Sequence, residues 1–174
     1  MDIVFETPRL ILKRFTLEDA PLLLDLNSNP EVVKYVHEAP LKTIEQSLTI
    51  LKDIILPQYK NKLGRWAINL RNEGTFIGWC GLKRIPETGV IDLGYRLKKT
   101  AWGNGYAFEA AEHSLNYGFN ALDLDLVKGQ AHIENLASIR ILEKLGMQFV
   151  GENIVDECPV KIYQIANPNL AATP

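Results

Sequence analysis

The run Val90-Ile91-Asp92-Leu93-Gly94-Tyr95-Arg96-Leu97, followed at once by Ala101-Trp102-Gly103-Asn104-Gly105-Tyr106-Ala107, decides how this chain folds. The first segment is rich in β-branched and aromatic residues and reads as a strand. From Tyr106 to about Phe119 the spacing becomes helical. Two glycines at a strand-to-helix turn let backbone N–H groups converge on one point at a helix N-terminus. That geometry binds anions, phosphate above all. The turn therefore implies a phosphate-bearing ligand.

Outward from the turn, Ala107, Ala110, Ala111, Ser114, Leu115, Gly118 and Phe119 form a stripe of mostly small residues that would pack close to a sheet. A strand over Leu124 to Ile133 follows, then a helix from Asn135 to Leu145 ended by Gly146. Met147 to Gly151 and Val160 to Ala166 read as closing strands, and Pro168 to Pro174 as a frayed tail. Upstream, Arg65 to Leu70, Phe76 to Ile85 and Val90 to Leu97 are separated by Asn72-Glu73-Gly74 and Glu87-Thr88-Gly89. Both separators carry turn chemistry, so the three runs form an antiparallel meander. Pro86 falls in its second turn, where a missing N–H does little harm. Arg9 to Arg14 reads as a strand. Thr16 opens a helix to about Asn27, Asn29-Pro30-Glu31 opens a short one, and the capping box Thr43-Ile44-Glu45-Gln46 opens a third, stopped near Leu56 by Pro57.

At 174 residues the chain suits one domain, residues 1–174, with no repeat or linker. A chain this long buries roughly 70% of its unfolded surface, enough for one core. The net charge of −2 and the absence of a long basic run argue against nucleic acid. Cys80 and Cys158 share no metal-ligand spacing and read as free thiols. The first residues show no charged n-region before an apolar run, and no segment is apolar for long enough to span a membrane. A cytoplasmic protein is the expectation.

Three ligand classes compete for the glycine turn. A P-loop needs Gly-Lys-Ser/Thr, which is absent. A dinucleotide turn wants a third glycine where Phe108 stands. Asp123 falls at the right distance for a ribose carboxylate, but hairpins rather than alternating βαβ units precede the turn. The third class is an acyl-coenzyme A site, and here a family resemblance enters. Trp102-Gly103-Asn104-Gly105-Tyr106-Ala107, Glu109-Ala110, Asn135-x-x-Ser138-Ile139-Arg140 and Leu142-Glu143-Lys144-Leu145-Gly146-Met147 together resemble the GNAT superfamily of N-acetyltransferases. Thr7-Pro8-Arg9-Leu10-Ile11-Leu12-Lys13 and Asn29-Pro30-Glu31-Val32 resemble its RimJ/RimL-type branch, whose relatives acetylate ribosomal-protein N-termini. The family's pyrophosphate loop is written Q/R-x-x-G-x-G/A. Thr100 occupies its first position here, so the usual basic side chain is missing, with Lys98 and Lys99 close by in sequence.

The resemblance implies an α/β fold: one GNAT-like domain with a mixed, mainly antiparallel sheet of about seven strands, splayed at the cofactor site, and helices on both faces. It implies acetyl-CoA as donor, a primary amine as acceptor and direct transfer in a ternary complex. No metal is needed, because the thioester is already activated. The amides of Gly103, Asn104, Gly105, Tyr106 and Ala107 would hold the pyrophosphate, with Trp102 beside them among the cofactor-binding residues. The exposed backbone at Tyr95 and Leu97 would pair with pantetheine, and the Asn135 side chain would bond the pantetheine or the adenine-side arm. Asp92 is the candidate base, directly or through water. Ser138 is the candidate acid for the thiolate, with Tyr106 and Tyr95 as alternatives. A homodimer is common among relatives.

The plainer readings are structural. Asn135 also suits an N-cap, Ser138 an ordinary first-turn residue and Asp92 a surface acid. Glu109 and His113 fall opposite the small-residue stripe and read as solvated helix face. Trp66, Trp79 and Tyr35 suit either an acceptor pocket or the core. His37 and His132 have no visible partners, and Glu143-Lys144 reads as a surface pair. A non-catalytic acyl-CoA sensor would use the same turn. Acceptor chemistry separates amine classes: an α-amine of pKa near 8 is about one-tenth neutral at pH 7, a lysine near 10.4 only about one part in a few thousand.

Overall fold

A computed structural model describes residues 2–172. Along the chain run β1 (Ile3–Glu6), β2 (Leu10–Arg14), α1 (Ala20–Asn27), α2 (Ile44–Ile50), α3 (Leu56–Gln58), β3 (Gly64–Leu70), β4 (Phe76–Arg84), β5 (Ile91–Leu97), α4 (Tyr106–Ala121), β6 (Leu126–His132), α5 (Leu136–Lys144), β7 (Gln148–Val155) and β8 (Cys158–Ala166). The strands form one sheet in the order β1-β2-β3-β4-β5-β6-β8-β7. Every neighbouring pair is antiparallel except β5 and β6. That parallel pairing holds only at Asp92↔Lys128 and Leu93↔Gly129. Beyond Leu93 the two strands part, and the gap opens toward the glycine turn.

Side-chain alternation along the strands builds a core on each face. Trp66, Ile68, Leu82 and Leu93 pack with Ala110, Ala111, Leu115 and Phe119 of α4 and with Ile139 and Leu142 of α5. Ala67 points the other way, joining Phe76 with Leu23 and Leu26 of α1 and Leu51 and Ile55 of the segment after α2. The small residues of α4 have the expected purpose. A Cβ on Gly118 would stand 2.6 Å from Leu82 Cδ1, so the glycine lets helix and sheet approach.

The meander, the α4 stripe and the caps of α2 and α5 follow the sequence. Thr43 caps α2 through Gln46 N–H, and Asn135 caps α5 through Ser138 N–H. Several expectations need correction. The sheet has eight strands rather than about seven, because Ile3–Glu6 adds an edge strand too short to show a pattern. Its Phe5 packs edge-on against Trp66. The helix expected at Asn29 is a set of turns. Asn29 accepts from Glu31 N–H as a cap should, but Val32, Val33 and Val36 resist helix propagation and too little of the segment is buried to offset that. Pro57 does not stop the third helix. The chain widens into a π-helical turn over Leu51–Ile55, in which Leu56 N–H reaches Leu51 O, and Pro57 sits in the first turn of α3. There a missing donor costs little.

The closing strands are longer than expected and meet in a two-residue hairpin. Asp156 (φ 49°) and Glu157 (φ 64°) take the left-handed conformations such a turn demands. No glycine marks it, so the sequence hides it. The tail does not fray at Pro168: Pro168–Ala172 forms a 3-10 turn. Asn167 anchors it, donating to Phe119 O and Leu124 O. Thr173 and Pro174 lie outside the described residues. No helix among the described residues is long and apolar enough to cross a membrane.

Gly81 on β4 lies against the backbone of β3, where a Cβ would collide with the Gly64 carbonyl oxygen. A backbone neighbour cannot rotate away. Gly81→Ala is expected to destabilise the fold by about 2 kcal/mol or more, read as a lowered midpoint in urea with an unchanged slope.

Candidate active site

After β5 a 3-10 turn, Lys99–Ala101, carries the chain away from the sheet. Gly103 (φ 76°) and Gly105 (φ 79°) then adopt left-handed conformations on either side of Asn104. Gly105 is the N-cap residue of α4, and no side chain caps it. The first helical bond runs from Glu109 N–H to Gly105 O at 3.1 Å. The N–H groups of Tyr106, Ala107 and Phe108 therefore have no acceptor within the helix. A Cβ at Gly103 would meet nothing within 4 Å. This open, donor-rich end carries the positive pole of a 16-residue helix. Asp123, the possible ribose carboxylate, lies past the opposite end of α4, about 24 Å away by helical rise.

The turn is braced from three sides. Trp102 Nε1–H donates to Leu97 O at 3.0 Å. Asn104 Nδ2 donates to Ala101 O and Trp102 O. The third brace comes from the N-terminal segment and was not foreseen. Glu109 Oε1 accepts from Thr7 Oγ1 at 2.6 Å and from Arg9 N–H at 2.9 Å, while Oε2 accepts from Arg9 Nε at 2.6 Å. Arg9 Nη1 also donates to Asn104 O at 2.8 Å. Glu109 is thus no solvated residue; it ties α4 to the approach of β2. Desolvation works to raise its pKa, but the Thr7 and Arg9 hydrogen bonds and the Arg9 charge outweigh it and hold the carboxyl below its ordinary value. Thr7 and Arg9 were visible in the Thr-Pro-Arg-Leu stretch, without any sign of which helix they would meet.

The gap beside β5 presents main-chain groups. Ile85 N–H donates to Val90 O and Lys98 N–H to Ile77 O, so even-numbered residues of β5 bond toward β4. By the alternation of an antiparallel pair, Leu93, Tyr95 and Leu97 turn theirs the other way. Leu93 meets β6, while Tyr95 and Leu97 face the gap, the two positions expected from the sequence. One part of that expectation changes: the Leu97 carbonyl is already taken by Trp102.

On the α4 side of the sheet, Tyr95 and Ser138 come together. Their hydroxyl oxygens lie 2.8 Å apart, and the Tyr95 hydroxyl lies 3.2 Å from Ser138 O. Burial, the largest influence, pushes the Tyr95 phenol well above its ordinary pKa, although the Ser138 hydrogen bond opposes this. Tyr95 thus keeps its proton at neutral pH and can donate or relay it. Tyr106 is not part of this pair: its ring lies under the Arg9 guanidinium, 4.6 Å from Cζ to the centroid. Asn135 spends its Oδ1 on capping α5, leaving its Nδ2 as the available donor.

The opposite side of β5 is charged. Asp92 Oδ2 accepts from Arg65 Nη2 at 2.7 Å. Arg65 crosses Gly94, where a Cβ would stand 2.7 Å from Nη2, and its Nη1 donates to Gly81 O and Asp92 O. The Arg65 and Arg96 guanidiniums both lie near the Trp79 ring, 5.0 and 5.5 Å from Cζ to its centroid. Arg96 in turn donates to Asn27 Oδ1 and Glu38 Oε2. Trp79 is therefore half-buried at a polar face, while Trp66 is core. Among the remaining candidates, Tyr35 stacks near His132, His37 pairs with Glu157, and His113 Nδ1 approaches Glu109 O. Glu143 and Lys144 do not form a surface pair: Tyr163 donates to Glu143, and Lys144 lies over Phe108.

Comparison with known proteins agrees with this geometry. A family model described as an acetyltransferase (GNAT) domain matches residues 9–148. The chain is 34% identical over 146 residues to an uncharacterized N-acetyltransferase, p20, of Bacillus licheniformis, covering 83% of this chain and 82% of that one. It is 33% identical over 150 residues to the uncharacterized N-acetyltransferase YoaA of Bacillus subtilis, covering 85% and 84%. Among solved structures, RimL, a ribosomal L7/L12 alpha-N-protein acetyltransferase in complex with coenzyme A, superposes with a TM-score of 0.81 at 16% identity, covering 95% of this chain and 98% of that one. Spermidine N-acetyltransferase from Vibrio cholerae, in complex with CoA and spermine, gives 0.78 at 18%, covering 92% and 97%. At such identities the structural matches speak for the fold.

The Glu109 brace predicts a pH signature. A carboxyl whose folded pKa is depressed adds stability above its unfolded pKa, near 4.5, and loses it as pH falls through the folded value. Glu109→Gln should cost about 1 to 2 kcal/mol at pH 7. The difference from wild type should shrink steadily below about pH 4.5, as followed by denaturant melts across pH.

Proposed function

The chain belongs to the GNAT acetyltransferases, and we propose that it moves an acetyl group from acetyl-CoA to a primary amine, in a ternary complex without a covalent intermediate. One observation carries this reading: the uncapped N-terminus of α4, opened by Gly103 and Gly105, lies beside a stretch of β5 that is paired with β4 on one edge and with no strand on the other. The first feature suits a pyrophosphate and the second an amide-bearing arm that pairs like an added strand. Coenzyme A carries both, in that order along its length. The N–H groups of Gly103, Asn104, Gly105, Tyr106 and Ala107 would receive the pyrophosphate. Tyr95 and the Leu97 N–H would pair with pantetheine, and Asn135 Nδ2 would donate to the same arm.

Positioning supplies much of the rate, because the thioester is already activated. Tyr95 and Ser138 are suited to the departing thiolate: one hydroxyl donates to it while the other resupplies the proton. Asp92 is suited to the amine, which would approach over the Arg65, Trp79 and Arg96 side. Its carboxylate is already held in place by Arg65. Asp92 would take the proton directly or through a water. An α-amine asks for little more. Freeing a lysine amine costs about 3 kcal/mol extra, from a gap of more than two pKa units. This favours an α-amine acceptor and a place near the RimJ/RimL-type branch.

Isothermal titration tests the donor. Acetyl-CoA should bind at tens of micromolar protein, and Gly103→Asp should abolish binding, since a carboxylate would stand where the pyrophosphate sits. Wild-type affinity in that variant would refute the placement. Turnover tests the acid: Ser138→Ala and Tyr95→Phe should each lower kcat about tenfold or more while leaving donor affinity nearly unchanged. For the acceptor, mass spectrometry of a peptide with a free N-terminus, against its Nα-blocked lysine counterpart, should show acetylation of the first.

A further inference from the structure

We propose that Arg9, not a residue of the glycine turn itself, supplies the cation for the donor's pyrophosphate. The inference rests on the acetyl-CoA reading above and adds a binding residue to it. The turn has no basic side chain of its own available. Thr100 stands at its first position. Lys98 is ion-paired with Asp25 and Lys99 with Glu31, both of them acids on the α1 side. Those pairs hold both ammonium groups at the α1 side rather than at the turn.

Arg9 comes from a hundred residues upstream and lies on the turn directly. Its guanidinium lies over the Tyr106 ring, 4.6 Å from Cζ to the centroid. Two of its three nitrogens are committed: Nε to Glu109 Oε2 at 2.6 Å and Nη1 to Asn104 O at 2.8 Å. The third, Nη2, stands 3.4 Å from where a Gly105 Cβ would be. It has no hydrogen-bond partner among the described residues, and 47% of the side chain is open to solvent. A planar fork fixed by two bonds holds its third nitrogen in place. Here Nη2 is held beside Gly105, the N-cap residue of α4, next to the unbonded amides of Tyr106 and Ala107. Ordering a free arginine on a phosphate costs side-chain entropy, and this one is already ordered. The carboxylate that orients it is itself satisfied by Thr7 and by the Arg9 amide, so less of its charge opposes an incoming phosphate.

A brace that merely held the turn together would use the same Nε and Nη1 bonds, so the test must read charge rather than shape. The intact protein is titrated with CoA and with dephospho-CoA at low and moderate salt, as wild type, Arg9→Gln, Arg9→Lys and Glu109→Gln. Arg9→Gln should weaken both ligands by a similar factor, about tenfold or more. It should also flatten the loss of affinity with salt, because one screened attraction is gone. Arg9→Lys should retain the salt dependence and part of the affinity. Glu109→Gln breaks the brace but keeps the arginine, so its salt dependence should match or exceed that of wild type. Unchanged affinity in Arg9→Gln, or weaker binding with the wild-type salt dependence, overturns the proposal. So does a loss seen with CoA but not with dephospho-CoA, which would move the contact to the 3′-phosphate. If Arg9→Gln does not fold, Glu109→Gln decides: a flattened salt dependence there refutes a role for Arg9 charge. Wild-type protein that binds neither ligand fails in a different place, and sinks the acetyl-CoA reading itself.

Discussion

Everything at this site depends on β5 and β6 pairing for only two residues. A parallel pair that ran the full length of both strands would consume the main-chain groups of Tyr95 and Leu97. Parting after Leu93 leaves them facing a gap inside the fold, where an unpaired amide or carbonyl is costly. The protein offsets part of that cost itself: Trp102 reaches back to the Leu97 carbonyl. Tyr95 separately fastens its side chain to the first turn of α5 through Ser138. The remaining groups are left for a ligand. The Tyr95–Ser138 bond thus ties the edge of β5 to α5 across the gap.

The charges follow a similar rule. Arg65, Arg96, Lys98, Lys99 and Arg9 all lie near the gap or the turn, and each has an acidic partner. On the face of β5 that carries Asp92, pairing leaves oriented dipoles and the Trp79 indole near two guanidiniums rather than a strong positive field. The amine of the proposed reaction, a cation before it reacts, would meet no strong electrostatic barrier there. At the glycine turn the helix pole and the spare arginine nitrogen keep a local preference for anions. The two ends of one site thus differ in character despite similar residue content.

The sequence disclosed what depends on local geometry and hid what depends on distant contact. The glycine turn, the α4 stripe, the meander and the caps at Thr43 and Asn135 are short-range patterns, and each was legible. The facing of Tyr95 and Leu97 toward the gap came from the family resemblance, not from a pattern in the strand. Four things were not legible. The Asp156-Glu157 turn needs positive φ from residues that seldom adopt it. Pro57 is rescued by a π-helical turn that leaves no compositional trace. Ile3–Glu6 is too short to show alternation. Glu109 was assigned to solvent because it lies off the small-residue stripe, yet an arginine a hundred positions earlier buries it. Ion pairs formed across the sheet have no period to detect.

That separation has a consequence for how the protein comes into being. Arg9 meets Glu109 across 100 residues, and Tyr95 meets Ser138 across 43. Closing such loops is entropically unfavourable until other contacts have already drawn the ends together. These contacts would form late, and with them the proposed donor site. A chain growing from its N-terminus would hold Thr7 and Arg9 ready, with nothing to brace, until α4 had been made. Tyr95, made later, would wait for α5. A nascent or partly folded molecule would therefore lack a complete site, and competence to bind would arrive only once α5 had joined the fold.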